Sequence, residues 1–417
     1  MAYTCNEARN RRKGSTMKLI VREDYLEILK KCRQTSDIKV LTGIRRSGKT
    51  KLLEAFTDFL ERNDPDSHII RINFNLTDYE NLKEYHSLEA YIENNYIPGK
   101  NNVVLIDEVE MCEGFEKAIN SLHDREKYDI YITGSNAFLQ SSDLATLFVG
   151  RTFEITVYPF SFTEYLSYFP SSNLNHAFDG YLQFGGMSGS YVYSDSLQKR
   201  EYLNKEVLEA LIVRDILQKE RIRNQAVMER LIDFLMDNIG SLASVRSITN
   251  ALASAKEKVD HKTIEKYLSY LCGAFLFQKV RRYDIRGKRY LQYEDKYYLT
   301  DHAFRKARLG TRYLNQGRVL ENAVAIELSR RGYEVYVGVL YESEIDFVAV
   351  RDGRKTYIQV SNDISDSHTR ERELSPLLKI KDGYPRILIA RTYQPEADYE
   401  GIRIIDAAEW FSNPQQR

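Results

Sequence analysis

Short apolar runs alternate with helical spacings over the first 160 residues. Segments 37–42, 68–74, 102–106, 130–133 and 152–157 each read as a short strand. Runs that are apolar throughout predict strands covered on both faces, the condition of a parallel α/β sheet. After the first run, Leu52, Leu53, Phe56, Phe59 and Leu60 recur at helical spacing. Beyond residue 222 the rhythm changes. Segment 228–239 is an amphipathic helix with Leu231, Phe234 and Leu235 on one face, and 244–253 suits a second helix after a serine cap. Segment 260–271 suits a third, with Ile264, Tyr267, Leu268 and Leu271 pointing inward. Segments 275–280 and 290–293 then flank a glycine turn at Gly287, the pattern of a hairpin. A last helix at 319–328 leads to strands at 334–338, 344–350 and 356–361, with a turn at Asp352 and Gly353.

A chain of 417 residues predicts more than one core. No apolar run reaches the ~18–20 residues of a membrane helix, so no membrane partner is expected. Residues 1–18 carry Arg9, Arg11, Arg12, Lys13 and Lys18 without an apolar stretch, which reads as a basic arm rather than a secretory signal. Cys5, Cys32, Cys112 and Cys272 lie far apart, giving neither a compact zinc knuckle nor a disulfide framework. Reduced thiols and a cytoplasmic location are the expectation. Net charge is zero but unevenly spread: 36–160 holds 13 basic and 21 acidic residues, whereas 221–310 holds 18 basic and 10 acidic. Any polyanion is therefore expected on the second region.

The first strand runs into Gly43, Ile44, Arg45, Arg46, Ser47, Gly48, Lys49 and Thr50, and then into the helical spacing of Leu52 to Leu60. Strand, glycine loop and helix form the context in which G-x-x-x-x-G-K-T cradles phosphates. The glycines let successive N–H groups face phosphate oxygens, and the helix adds its positive end. Residues Gly43 to Lys51 are the candidate nucleotide contacts. Lys49 reaches the β- and γ-phosphates, and the Thr50 hydroxyl ligates magnesium. The run 102–106 ends in Asp107 and Glu108. Asp107 fits the magnesium-holding role, and Glu108 the base that polarises the attacking water. Thr133, Ser135 and Asn136, at the end of a further strand, are candidate γ-phosphate sensors or satisfied turn residues. Arg151 is either a finger completing a neighbouring subunit's site in a homo-oligomer or a surface ion pair.

One strand, 68–74, lies along the chain between the P-loop and the acidic run. With a glutamate after the aspartate, this resembles the additional-strand division of P-loop ATPases, to which the AAA+ proteins belong. The chain also resembles the large prokaryotic family of AAA-type ATPases with a C-terminal DUF4143 region. The marks are Thr42 to Thr50, Leu105 to Val109, and Gly150-Arg151 followed by Tyr158 to Glu164; Gly185-Gly186-Met187 and Val213 to Ile216 look like further landmarks. The resemblance implies ATP and Mg2+ as ligands, a winged helix, and a domain like the PD-(D/E)xK nucleases.

The expected organisation is a basic arm (1–18), an AAA-like parallel-sheet ATPase domain (19–160), a helical junction (161–222), a winged helix (223–312) and a restriction-endonuclease-like α/β domain (313–417). Lys279, Arg281, Arg282, Arg286, Lys288 and Arg289 cluster around the hairpin wing. With Lys262 and Lys266 on the third helix they are candidate contacts to double-stranded DNA. A protein-docking module is the alternative use of such a hairpin. In the last domain, Glu321 and Asp346 match two positions of the nuclease pattern. Gln359 and Ser361 stand where its E-x-K acid and lysine belong. A neutral amide is a poor magnesium ligand and serine carries no ammonium, so a degenerate nuclease fold used for binding or assembly is expected, with an ATP-regulated nuclease as the alternative.

Overall fold

The computed structural model describes residues 19–413 except 135–146, 149, 219, 223, 255–258, 288 and 312–314. The basic arm, Ser135, Asn136 and Lys288 lie outside the described residues. In chain order the first unit comprises α1 (Glu23–Lys31), β1 (Ile38–Thr42), α2 (Lys49–Asn63), β2 (Ser67–Asn73), α3 (Tyr85–Asn94), β3 (Asn101–Asp107), α4 (Phe115–Asp124), β4 (Tyr128–Thr133) and β5 (Thr152–Thr156). Its strands make a parallel sheet in the order β2-β3-β4-β1-β5. The strand lying between β1 and β3 in space is thus β4. The run at 68–74, between them in sequence, forms the outer edge. All five residues of β1 are buried, including Lys39, whose Nζ lies 2.6 Å from Asp129 Oδ1. A buried ammonium needs such a partner.

The junction follows as α5 (Phe162–Tyr168), α6 (Leu174–Phe184) and α7 (Ser196–Glu201). Ser161 and Glu164 form a reciprocal capping box on α5. From α7 the chain continues as two wide π-helical segments, Tyr202–Glu209 and Leu211–Gln218. Such i→i+5 helix is rare at this length and recurs at functional sites. Next come α8 (Gln225–Asp237), β6 (Leu242–Ala243), α9 (Val245–Ser254), α10 (His261–Gly273), β7 (Phe277–Asp284), β8 (Arg289–Leu299) and α11 (Ala303–Leu309). Asn224 and Asp260 side chains cap α8 and α10 by accepting from backbone N–H groups.

The last part holds α12 (Gln316–Arg330), β9 (Glu334–Leu340), β10 (Ser343–Arg351), β11 (Arg354–Ser361), α13 (Ser367–Leu378), β12 (Arg386–Ala390), β13 (Ala397–Tyr399), β14 (Ile402–Asp406) and α14 (Ala407–Ser412). A single nine-stranded sheet, β13-β14-β12-β11-β10-β9-β7-β8-β6, crosses the boundary expected near residue 312. The crossing is a parallel pairing of β7 with β9, Arg282 opposite Val337 and Asp284 opposite Val339. The hairpin is therefore an interior part of a larger sheet rather than a free-standing wing. Ile44 of the glycine loop is fully buried in the same apolar cluster as Met187, Leu203, Leu211 and Phe304. That cluster roots the loop in the unit that follows.

Candidate nucleotide site

β1 delivers the chain to Gly43 at φ +127, where an added Cβ would lie 2.2 Å from the Val157 carbonyl oxygen. Only glycine fits that close approach. Gly48 (φ +101) precedes α2, and Lys49 opens it. The Lys49 side chain is buried and its Nζ donates to Gly43 O at 2.7 Å and Ile44 O at 3.3 Å. The ammonium thus lies in the hollow of the loop. Burial lowers its pKa, and the carboxylates of Glu108, Glu110 and Asp107 oppose that shift.

The acidic pair is held from β4. Thr133 Oγ1 donates to Asp107 Oδ1 at 2.5 Å and accepts from the Glu108 N–H at 3.1 Å. One hydroxyl therefore holds the Asp107 carboxylate and the Glu108 backbone. Glu108 adopts a left-handed conformation, φ 57 and ψ 51, where a non-glycine residue costs of order 1 kcal/mol or more. Asp107 Oδ2 and Ser47 Oγ are buried without a hydrogen-bond partner. Orphaned oxygens beside a lysine and a glycine loop are the donor chemistry that Mg2+ with a polyphosphate would satisfy, so the residues present fit that ligand.

Two elements lock the loop from outside. Arg22 donates from Nε and Nη2 to the two Glu164 oxygens at 2.7 and 2.9 Å, and from Nη1 to Ser47 O at 2.9 Å. Burial acts to raise the Glu164 pKa, but the Arg22 charge and hydrogen bonds outweigh it and hold the carboxyl below its ordinary value. On the other side Arg45 pairs with Asp215 on the second π-helical segment, at 3.1 and 3.2 Å. Arg46, at φ 64, lies 3.4 Å from Glu206 and over the Tyr202 ring.

The remaining expectations separate. Thr133 reaches the acidic pair. Lys51 points to solvent and pairs with Glu54 at 2.6 Å, away from the loop. Arg151 is not brought to the loop: its carbonyl accepts from Ile38 N–H at the amino end of β1, and its guanidinium pairs with Asp124. Five strand residues at about 3.3 Å each place it roughly 15 Å from Gly43.

The basic cluster is partly neutralised. Lys279 pairs with Asp295 at 2.8 Å and Arg282 with Glu294 at 3.2 Å. Arg281, Lys262 and Lys266 are exposed, and Arg286 stacks over the Tyr341 ring. The side chain of Arg289 lies outside the described residues. Tyr283 is buried and accepts from Lys355 Nζ, so it packs rather than presents a ring. Glu321, Asp346, Gln359 and Ser361 do converge, lining one cleft of ≈ 630 Å³.

Arg22, Glu164 and Asp215 had no assigned role in the loop from sequence. Val213 to Ile216 stood out as a landmark, which was a signal for Asp215. Gly185, another landmark, presses on Asp301: an added Cβ would lie 1.9 Å from its Oδ1.

Residues 35–166 match the family model of an AAA domain. Residues 175–315 match a domain of unknown function, DUF8612, in place of the DUF4143 region expected there. The fold and site are those of an AAA-type P-loop ATPase domain. An uncharacterized protein of Haemophilus influenzae is 37% identical over 399 residues, covering 94% of this chain and 98% of that one. The chain belongs to the family of that protein. Uncharacterized protein MJ1544 of Methanocaldococcus jannaschii is 28% identical over 391 residues, covering 86% and 84%. Among solved structures, the Walker-type ATPase PABY2304 of Pyrococcus abyssi aligns at 15% identity and TM-score 0.41, over 69% of this chain and 95% of that one.

Proposed function

We propose that the chain binds and hydrolyses ATP at Gly43 to Thr50 and couples nucleotide state to double-stranded DNA binding. The observation that carries the catalytic half is the Thr133 hydroxyl joined to both Asp107 and Glu108. Asp107 and Thr50 would hold Mg2+, which neutralises phosphate charge when bound. Lys49, now on two loop carbonyls, would turn to the phosphates. Glu108 takes a proton from water, whose oxygen bonds to the γ-phosphorus as the bond to the β–γ bridging oxygen breaks, leaving ADP and phosphate.

Coupling is supported by what the loop touches. Nucleotide entry must reorganise a segment whose Ile44 is buried in the next core and whose Arg45 is paired with Asp215. The DNA surface in this reading is α10 and the β7–β8 hairpin, used as a winged helix uses its wing although the hairpin is continued by β9 and β6, and it is centred on Lys262, Lys266 and Arg281. The unit at 313–417 is a nuclease-like fold used for binding or assembly in this reading. Among the described residues no helix is long and apolar enough to cross a membrane. A cytoplasmic location belongs to the same reading, supported by the free thiols of Cys32, Cys112 and Cys272. Arg151 could act only on a neighbouring subunit from its edge of the sheet.

A second reading has its own support. The Lys279–Asp295 and Arg282–Glu294 pairs reduce the free positive charge of the hairpin, which favours a slow nucleotide-gated scaffold docking a protein. Duplex affinity measured against salt separates the two. Phosphate contacts give a steep slope of log affinity on log salt, and a protein-docking module gives none.

A further inference from the structure

A lysine far from the nuclease-like motif pairs with one of its acids, Glu321, and with the neighbouring Glu344. Lys296, on β8, has a side chain only 3% exposed, and its Nζ is 2.8 Å from Glu321 Oε1 and 2.8 Å from Glu344 Oε1. Tyr298 OH donates to the same Glu321 oxygen at 2.6 Å. We propose that the acidic cleft of the C-terminal unit is a cation site filled by the chain's own Lys296 ammonium instead of a divalent metal.

The other groups are committed in the same sense. Asp346 Oδ2 accepts from the Val360 N–H at 2.8 Å. Gln359 Oε1, its only ligating atom, accepts from the Asp346 N–H, while its Nε2 donates to Glu373 at 3.0 Å. Ser361 Oγ donates to the Asp363 carbonyl. Among the described residues no group of three or more His, Cys, Asp or Glu is disposed to hold a metal ion. With the Lys296 ammonium in place, the residues present therefore do not fit the metal that the nuclease resemblance implies.

An ammonium is a compact cation with three donors, and two carboxylates offset the cost of burying it. Its origin matters as well. Lys296 comes from the hairpin, Glu321 from α12 and Glu344 from β10, so the one cation ties three segments across the expected domain boundary. The parallel β7–β9 pairing makes the same connection through the backbone. The lysine missing from the E-x-K position thus has a counterpart on another strand, placed to neutralise acids rather than to assist a metal.

Mn2+ binding to the nucleotide-free full-length chain, followed by electron paramagnetic resonance, tests this. Wild type should show no Mn2+ whose binding depends on Glu321 or Asp346. Lys296→Met, which keeps the apolar stem, should gain a site that is lost again when Glu321→Gln is added. Lys296→Arg should stay without it. The proposal is overturned if wild type binds Mn2+ and Asp346→Asn abolishes that binding, or if a folded Lys296→Met gains none. Should Lys296→Met fail to fold, the wild-type and Asp346→Asn titrations decide by themselves.

Discussion

The Arg45 guanidinium engages Asp215 through two of its nitrogens, at 3.1 and 3.2 Å, across 170 residues of sequence. One partner sits inside the phosphate loop and the other in the π-helical segment that leads along the chain into the basic region. Asp215 is nearly buried, so the pair is shielded from salt better than a surface bridge.

Asp215→Asn should uncouple the two halves. A charge-assisted bond of this kind contributes about 1.5–3 kcal/mol, roughly one to two powers of ten in a coupled equilibrium. The variant should retain basal ATP turnover but lose most of any response to DNA. Turnover assays with and without duplex check it; an undiminished response would assign the pair to packing alone.

Thr133→Val removes the hydroxyl that holds the Asp107 carboxylate and the Glu108 backbone N–H, and keeps the shape of the side chain. Turnover should fall about 10²-fold, the scale for losing one positioned group at a reaction centre. ATP affinity should change only a few-fold, since Lys49 and the loop remain. Stopped-flow binding of a fluorescent ATP analogue alongside phosphate release separates the two effects.

The Arg22–Glu164 latch predicts an acid limb in stability. Glu164 has a folded-state pKa below its ordinary value of 4.5. Its contribution is therefore complete above about that pH and is lost as pH falls through the lower folded value. Melting temperature measured from pH 6 down to 3 should drop less steeply in Glu164→Gln than in wild type. Parallel curves would remove the latch from the explanation.

On the hairpin side, Lys266→Glu with Arg281→Glu should weaken duplex binding and flatten its salt dependence by about 0.9 for each DNA phosphate no longer neutralised. Lys279→Gln should do less, because Asp295 already neutralises that lysine. Equal effects from all three would show a diffuse charge effect rather than a docking face.

How far these sites are readable from sequence depends on how local their chemistry is. The glycine loop, Asp107 and Glu108 are legible because each motif is contiguous and fixed by one strand end. Thr133 could be named from its place at the end of β4, although only the sheet order puts it beside Asp107. Arg22 and Lys296 carry no local pattern, and Glu164 closes the Tyr158-to-Glu164 mark without any sign of its partner. Their partners lie 142 residues away for the Arg22–Glu164 pair and 25 for Lys296 with Glu321, and both pairings follow from packing. The sheet that runs across residue 312 is hidden for a related reason. Strand period predicts that β7 and β9 exist, but not that they pair. The π-helical segments have helical hydrophobic spacing, which does not distinguish i→i+5 from i→i+4 bonding.

ATP turnover by wild type and Glu108→Gln, each with and without duplex DNA, probes the proposed activity most directly. Wild-type turnover should rise with DNA, and Glu108→Gln should abolish it under both conditions while still binding ATP. Hydrolysis by Glu108→Gln at the wild-type rate would contradict the catalytic assignment, and wild-type turnover indifferent to DNA would contradict the coupling.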